Sequence, residues 1–221
     1  MTREIVLLNG NTTAAMTERM AVAAREIVPA GVSVRGVTAP FGEAYISDRA
    51  AAAVAAHAVI EMTHAVASGP PPAAVVIACF GDPGLWAARS ILARPVVGMA
   101  EASMHAACQL GRRFGIVTGG AAWGPMLDEF AAAAGLSARL SGVRTLALTG
   151  AEIAADPQAA ASAVAEAASD CVVRDGADVV ILGGAGLIGL APRTAAAVGV
   201  PVLDSLACAV TQALALGALA S

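Results

Sequence analysis

The segment Ala74–Leu85 reads AVVIACFGDPGL and joins a β-branched run to a glycine-rich turn. The run contains no alternating polar residues, which predicts a short strand buried on both faces. Turn-forming residues at Gly81–Gly84 end that strand, and a helix is predicted directly afterwards, near Gly84–Leu92. The segment therefore indicates one strand–turn–helix unit of a parallel sheet, with Cys79 at the end of the strand.

The same alternation of β-branched runs with long alanine-rich stretches continues along the chain, which predicts an α/β fold. The predicted strands are Ile5–Leu8, Val32–Val37, Ala74–Ala78, Pro95–Val97, Phe114–Val117, Thr145–Leu148, Val179–Leu182 and Pro201–Leu203. The predicted helices lie near Thr13–Val28, Asp48–Ser68, Gly84–Leu92, Glu101–Leu110, Trp123–Ala134, Asp156–Arg174, Ile188–Val198 and Ser205–Leu216.

The second half of the chain repeats the first half in the same order. The aligned blocks are IVLLNGN at Ile5 with GIVTGGA at Gly115, IACFG at Ile77 with LGGAG at Leu182, and RPVVG at Arg94 with VPVLD at Val200. The second and third pairs of blocks are separated by 105 and 106 residues, so the spacing within each half is nearly preserved. This regularity indicates an internal duplication.

The duplication predicts two similar lobes, each a short parallel sheet flanked by helices, as in a flavodoxin-like pseudo-duplication. Residues 1–98 with 205–221 are expected to form the N-terminal lobe, and residues 99–204 the C-terminal lobe. Ligands of open parallel sheets bind beyond the carboxyl ends of the strands. The expected active site is therefore the cleft between the two lobes.

Composition excludes several classes of function. The 221 residues carry a formal net charge of -4 without a basic cluster, so nucleic acid is not an expected partner. The longest apolar runs, Val179–Ala191 and Leu206–Ala220, are shorter than the roughly 18 residues of a membrane span, and no membrane association is expected. No secretory signal is recognised near the start, which favours a cytoplasmic location. The four cysteines lack CxxC spacing, which predicts free thiols and no metal site.

Cys79 is the candidate for chemistry, because it lies between a buried strand and the start of a helix. Oriented N–H groups at that position are expected to favour the thiolate and to lower the pKa of the thiol. The turn Asn9–Thr13 offers amide and hydroxyl groups to a ligand carbonyl, or caps the following helix. The remaining cysteines lie in helical stretches and receive structural roles: Cys108, Cys171 and Cys208.

Several motifs together resemble the hydantoin and allantoin racemases of the aspartate/glutamate racemase superfamily. They are NGNTT-x-x-MT at Asn9–Thr17, ACFGDPGL-x-x-AR at Ala78–Arg89, PVVGMAEA at Pro95–Ala102, RRFGIVT at Arg112–Thr118, ILGGAGL at Ile181–Leu187 and VPVLD at Val200–Asp204. The ACFGDPGL block is the most specific of them, and the similarity covers nearly the whole chain.

The resemblance implies proton transfer at a carbon acid without a cofactor or a metal. In such enzymes two cysteines face each other across a small-molecule substrate, and backbone N–H groups hold the enolate-like oxygen. The first cysteine corresponds to Cys79, but Gly184 stands where the family motif LGCAG has the second. The implied pocket residues are Asn11, Thr12, Phe80, Gly81, Thr118, Gly119, Gly184 and Ala185. Relatives of this kind are usually oligomeric, so a homo-oligomer is expected.

The glycine at position 184 leaves three functions open. The chain can be a racemase in which a water near Gly184, or a displaced thiol such as Cys208, acts as the second acid. It can be a lyase that needs only one thiol, similar to the arylmalonate decarboxylases. It can also be a ligand-binding relative without turnover.

Overall fold

The computed structural model describes residues 3–220, except for the side chains of residues 150, 151, 154 and 157. Its strands are β1 Arg3–Asn9, β2 Val32–Thr38, β3 Ala74–Ile77, β4 Val96–Gly98, β5 Phe114–Gly119, β6 Leu140–Leu146, β7 Val179–Gly183 and β8 Val202–Asp204. Its α-helices are α1 Ala14–Ile27, α2 Arg49–Ala67, α3 Leu85–Ile91, α4 Met99–Leu110, α5 Trp123–Ala133, α6 Gly150–Ala155, α7 Pro157–Val173, α8 Ala191–Val198 and α9 Ser205–Leu219. A 3-10 turn covers Ala185–Leu187.

The strands form two parallel sheets with the same topology. The first has the order β2-β1-β3-β4 and the second the order β6-β5-β7-β8. The chain divides into an N-terminal unit, up to Met99 and from Leu206 onward, and a C-terminal unit, Ala100–Ser205. Residues 1, 2 and 221 of the predicted lobes lie outside the described residues. The repeated strand order confirms the predicted α/β fold of two similar lobes.

The inner strands are apolar because helices cover both faces of each sheet. Every residue of β3 and β7 is buried, whereas the edge strands β2 and β6 are mostly half-exposed. A parallel strand that is buried on both faces cannot alternate polar and apolar residues. The buried runs therefore mark the middle of each sheet, where the strand ends carry the candidate site.

Helix α2 contributes much of the core of the N-terminal unit. Its buried face includes Val59, Met62 and Val66, which belong to the same apolar cluster as Val6 of β1 and Ile77 of β3. Among the described residues it is the one helix long and apolar enough to cross a membrane by length and composition. Its packing against the sheet accounts for that apolar character, although the sequence had pointed to other segments as the longest apolar runs.

The C-terminal unit departs from the sequence prediction at two elements. Strand β6 begins at Leu140 and ends at Leu146, so the predicted strand Thr145–Leu148 overlaps only its last two residues. The strand is half-exposed and contains polar residues, so its apolar pattern was too weak to predict where it begins. Helix α6 was not predicted, although Thr149 and Glu152 form a capping box that marks its first turn.

Candidate active site

In the N-terminal unit, the predicted site residues lie beyond the carboxyl ends of two neighbouring strands. β1 pairs directly with β3, so the turn that contains Asn11 and Thr12 is adjacent to the turn that contains Cys79. Asn11, Thr12 and Cys79 are partly exposed, and so is Gly81, whereas Phe80 is buried. The fold therefore brings these five predicted residues to one edge of one sheet.

The side chain of Asn9, which is 0% exposed, organises the first turn. Its Nδ2 donates to Oδ1 of Asn11 and to Oγ1 of Thr17, both at 2.9 Å, and its Oδ1 accepts from the Asn11 N–H at 3.2 Å. The Thr17 hydroxyl also bonds to that of Thr38 at 2.7 Å. These bonds link the end of β1 to α1 and β2, so the position of Asn11 is set by buried groups.

Two side-chain groups of this turn, the Nδ2 of Asn11 and the hydroxyl of Thr12, have no protein partner among the described residues. Oδ1 of Asn11 accepts from Asn9 and, at 3.0 Å, from the N–H of Thr13, which leaves the Asn11 Nδ2 as a donor. The Thr12 side chain makes no hydrogen bond within residues 3–220. Thr13, at the N-cap of α1, does not cap the helix with its side chain; its hydroxyl donates to the Ala44 carbonyl at 2.7 Å. Asn11 and Thr12 thus offer groups to a ligand.

The turn after β3 brings Cys79 close to two backbone donors. The carbonyl of Cys79 accepts from the N–H of Asp82 at 3.1 Å, and the chain reverses through Gly81 at φ 131° and Asp82 at φ 50°. No hydrogen bond within the described residues uses the N–H groups of Phe80 and Gly81. Consecutive free N–H groups next to a thiol can hold an oxyanion as it forms.

The pKa of Cys79 contradicts the expectation of a favoured thiolate. Burial, and after it the nearby carboxylate of Asp82, raise the pKa of the Cys79 thiol to about 12. Cys79 is partly exposed to solvent, yet burial is still the larger cause of its raised pKa. The helix that follows is only seven residues long, and its start does not outweigh the loss of hydration. At neutral pH Cys79 is a protonated thiol, which is a proton donor.

Asp82 is a buried carboxylate that the sequence left with an uncertain role. Its side chain lies directly over Gly98 at the end of β4, where a Cβ atom would overlap the carboxylate group. Glycine at that position therefore gives Asp82 its place beside the Cys79 turn. In the C-terminal unit the corresponding carboxylate comes from the strand itself, because Asp204 ends β8 and its Oδ2 accepts from the Gly189 N–H at 2.9 Å.

The C-terminal unit gathers the other four predicted residues in the same way. β5 pairs with β7, which places Thr118 and Gly119 next to Gly184 and Ala185. Thr118 is 5% exposed, and its hydroxyl donates to the Gly183 carbonyl at 2.9 Å. The sequence predicted all four as pocket residues, but it did not predict the hydrogen bond between Thr118 and Gly183.

Gly184 has a backbone that other residues rarely adopt. Its φ of 111° and ψ of 153° lie in a region that is essentially reserved for glycine. A Cβ atom built there would meet only Oγ1 of Thr118, at 4.0 Å, so the space next to Gly184 is open. The N–H of Gly184 donates to Oγ of Ser205 at 3.2 Å. The local backbone at this position thus suits glycine.

The strand registers correct the predicted alignment of the two halves. Ile77 pairs with Leu8, and its counterpart Leu182 pairs with Val117. Asn9 therefore corresponds to Thr118, one residue away from the Gly119 that the sequence alignment had placed opposite it. The sequence alignment was one residue off because the NGN segment at Asn9 and the TGG segment at Thr118 can be matched through a glycine in more than one register.

Asn9, Thr17 and Ser205 are the site residues that the sequence analysis missed. Asn9 belongs to the quoted NGN turn, and its place as the last residue of a buried strand was the available signal. Ser205 is the first residue of α9, directly after β8, where a hydroxyl often bonds to neighbouring backbone. Thr17 is the last residue of the quoted NGNTT-x-x-MT motif, but its contact with Thr38 of β2 could not be predicted from the sequence.

His57 and Cys171 lie apart from these turns in sequence. His57 is exposed, packs with its ring tilted against Phe41 at a centroid distance of 5.0 Å, and lies 3.8 Å from Glu61. Cys171 is buried in α7, and burial raises the pKa of its thiol to about 12. Within residues 3–220, no group of three or more His, Cys, Asp or Glu side chains is placed to hold a metal ion.

Comparison with known proteins agrees with this architecture over almost the whole chain. The sequence model of the Asp/Glu/Hydantoin racemase family matches residues 5–213. A hydantoin racemase from Paenarthrobacter aurescens is 36% identical over 212 residues, which are 95% of this chain and 90% of that protein.

Solved structures give the same assignment. The allantoin racemase of Pseudomonas fluorescens is 33% identical, covers 98% of this chain and 91% of its own, and superimposes with a TM-score of 0.93. Arylmalonate decarboxylase, at 21% identity and a TM-score of 0.62 over 97% of this chain and 92% of its own, shares the fold. The chain belongs to the Asp/Glu/hydantoin racemase family and is an isomerase of the hydantoin/allantoin racemase type.

Proposed function

We propose that the chain racemises a five-membered ring ureide such as a 5-substituted hydantoin or allantoin, with Cys79 as the thiol that transfers the proton. The names of its relatives support the substrate class. The observation that carries the proposal is the position of Cys79 beside the free N–H groups of Phe80 and Gly81. The reaction removes the proton from a ring carbon next to a carbonyl, and it needs no cofactor.

The chemistry follows from the charge that develops on the substrate. When the C–H proton leaves, the electron pair moves onto the ring carbonyl oxygen. The N–H groups of Phe80 and Gly81 can stabilise that oxygen, and each such donor is worth up to about 100-fold to 1000-fold in rate. Nδ2 of Asn11 and the hydroxyl of Thr12 are available for the other polar groups of the ring.

Because Cys79 is protonated, it delivers a proton more readily than it removes one. With a pKa of about 12, the thiol delivers a proton readily at neutral pH but removes one only through a small thiolate fraction. Racemisation by Cys79 as base is therefore expected to be slow. A ring carbanion that is already formed would receive the proton from Cys79 without this cost.

This asymmetry favours one alternative function. A lyase that decarboxylates a substituted malonate forms its carbanion by loss of carbon dioxide, so it needs proton delivery from one thiol and no base. The raised pKa of Cys79 and the glycine at position 184 both suit such a reaction. The two functions differ in whether a substrate C–H bond is broken.

Proton NMR in deuterium oxide tests both. Single enantiomers of allantoin and of 5-substituted hydantoins are followed beside an aryl malonate. Loss of the ring C–H signal together with loss of optical rotation supports the racemase. Loss of carbon dioxide from the malonate, with no exchange of the ring C–H, favours the lyase instead.

Two cysteine variants make the result specific. Cys79→Ala is expected to lower either activity by at least about 100-fold, the lower range for a general acid or base. Cys171→Ala is the matched control, because Cys171 has an equally raised pKa but lies in the core of the C-terminal unit. Undiminished activity in Cys79→Ala would refute the assignment of the thiol. Cys208→Ala tests whether Cys208 acts as the second acid in racemisation; a loss of racemisation in this variant would support that role.

A further inference from the structure

We infer that Asp82 is a specificity-determining residue: its buried negative charge selects neutral ring substrates and disfavours substrates with a carboxylate close to the carbon that exchanges its proton. The effect on the rate rests on the racemase function proposed above, in which Cys79 removes that proton. The effect on binding can be measured by itself. Asp82 and the residues that position it belong to the N-terminal unit.

The Asp82 carboxylate lies at the same edge of the sheet as Cys79. The N–H of Asp82 donates to the Cys79 carbonyl at 3.1 Å, so the two residues are the ends of one tight turn. The Asp82 side chain lies over Gly98, which pairs with Ile77, two residues before Cys79. A Cβ atom at Gly98 would be 2.8 Å from Oδ1 of Asp82, closer than real Cβ atoms come to other heavy atoms. The carboxylate is therefore seated beyond the carboxyl ends of β3 and β4.

Burial makes this charge effective. Asp82 is 4% exposed, so little solvent screens its carboxylate, and charges interact more strongly inside a protein than in water. The Cys79 thiol shows the direction of the effect. After burial, the charge of Asp82 is the next cause that raises the pKa of Cys79, because a second negative charge beside the carboxylate is unfavourable. A substrate carboxylate close to the thiol meets the same repulsion.

The two turns supply no cationic residue that would offset this charge. Asn9–Thr13 reads NGNTT and Cys79–Gly84 reads CFGDPG, so Asp82 is the only charged residue in these two segments. The side-chain groups that they offer to a ligand, Nδ2 of Asn11 and the hydroxyl of Thr12, are neutral. Neutral carbonyl groups accept hydrogen bonds from such donors, whereas carboxylates are typically bound by arginine or lysine. The turns therefore suit a neutral ring ureide.

The charge that develops during the reaction leaves this selection in place. The Cys79 thiolate takes the ring proton, and the electron pair of the broken C–H bond moves onto the ring carbonyl oxygen, which the N–H groups of Phe80 and Gly81 can stabilise. This charge arises with every substrate, so its repulsion by Asp82 lowers all rates alike. A carboxylate adds a further charge to anionic substrates alone. Aryl malonates, with two carboxylates, are therefore expected to be poor substrates.

A matched pair of substrates tests the selection in the full-length protein. Hydantoin-5-acetamide and hydantoin-5-acetic acid have the same ring and nearly the same shape, and only the side chain of the second is charged at about pH 7. Proton NMR in deuterium oxide gives kcat/KM for C–H exchange of a single enantiomer of each. The native protein is expected to prefer the amide by about tenfold or more, and Asp82→Asn is expected to lower that preference by about fivefold or more. Equal rates in the native protein, or an unchanged preference in Asp82→Asn, would overturn the inference.

Asparagine is the sharpest substitution because it changes the charge and little else. It keeps the size of the side chain and accepts the φ of 50° at position 82, since asparagine is enriched at positive φ. A lower pKa of Cys79 in this variant changes the thiolate fraction for both substrates alike, so their ratio does not respond to it. A purely structural role of Asp82 would also lower both rates together and leave the preference unchanged.

The control is Glu61→Gln, which changes the net charge of the same unit by the same amount. The Glu61 side chain is 55% exposed, so solvent screens its charge. The preference for the amide is expected to stay at the native value. A loss of preference as large as that of Asp82→Asn would point to net charge alone and would overturn the role of Asp82.

Protection of Cys79 against alkylation provides a measurement that does not depend on turnover. The amide is expected to slow the alkylation at a lower concentration than the acid, and Asp82→Asn is expected to reduce the difference. If the protein shows this order of protection without C–H exchange, the racemase function fails and the charge selection stands. Exchange of both compounds at equal rates would support the racemase and overturn the selection. Protection by neither compound would overturn the selection as well.

Discussion

The two halves of the molecule share one scaffold and differ in the groups at their strand ends. The strand order is the same in both sheets, and Asn9 corresponds to Thr118 as Cys79 corresponds to Gly184. In the N-terminal unit an amide network orders the turn that is adjacent to the Cys79 turn, whereas in the C-terminal unit Gly184 donates its N–H to Ser205 and has Thr118 Oγ1 nearby. A duplicated fold thus preserves where a site lies but not which chemistry it contains.

The difference has a consequence for catalysis. A symmetric enzyme with two thiols can remove and return a proton on either face, whereas in this chain the position equivalent to Cys79 is Gly184, and the Cys79 thiol is protonated at neutral pH. We therefore expect the two directions of the reaction to respond differently to pH and to substitution. Four experiments challenge or refine this comparison of the two halves.

The largest expected effect is on the pH dependence of C–H exchange. Because only the thiolate of Cys79 removes a proton, and its pKa is about 12, the exchange rate should rise about tenfold per pH unit from neutral pH to about pH 9. Decarboxylation of an aryl malonate, which uses the protonated thiol, should stay nearly flat over the same range. A plateau of the exchange rate below about pH 9 would show that Cys79 has a much lower pKa or that another base acts.

The next effect concerns the residues at the ends of β1 and β5. Asn9→Ala removes three side-chain hydrogen bonds shorter than 3.3 Å and leaves buried partners unsatisfied. It should lower the free energy of unfolding by about 2–4 kcal/mol. Thr118→Val loses one hydrogen bond and should cost about 1 kcal/mol. Urea unfolding measures both, and equal losses would show that the two strand ends are supported alike.

Substitution at Gly184 should have a smaller effect, through backbone strain. Gly184→Ala forces a side chain onto a φ of 111° and should cost about 1–3 kcal/mol, although the space is open. Gly124→Ala is the control, because Gly124 lies in α5 at an ordinary φ with only Thr145 Cγ2 nearby, at 3.6 Å. That variant should be neutral or slightly stabilising. If Gly184→Ala were equally neutral in thermal unfolding, the backbone there would not require glycine.

The smallest effect is expected from Asp82→Asn. The carboxylate is the lesser of the two causes that raise the pKa of Cys79, so its neutralisation should lower that pKa while burial keeps it above 9.0. The rate of Cys79 alkylation against pH, followed by mass spectrometry, measures the change. Asp204→Asn, in the other unit, is the control and should leave the titration in place. An unchanged pKa in Asp82→Asn would remove Asp82 from the account of the thiol.

The sequence predicted the ends of most strands closely, including the edge strand β2, and misplaced one edge strand, β6. β3 and β7 are fully buried, and each was predicted to within one residue of its observed ends. The half-exposed strand β6 was misplaced, because Ser141, Gly142 and Arg144 break its apolar pattern. Arg144 is held there by Asp175, which no local pattern reveals.

The sequence by itself determined the parallel α/β scaffold, the duplication and the identity of the residues at the strand ends. Parallel strands carry their carboxyl ends to one edge, so the order of strands and turns suffices for that inference. Only the tertiary structure decided the register that matches Asn9 with Thr118, the raised pKa of Cys79 and the pairing of Gly184 with Ser205. Register, burial and hydrogen bonding across strands depend on contacts between distant segments, and a pattern of letters does not contain them.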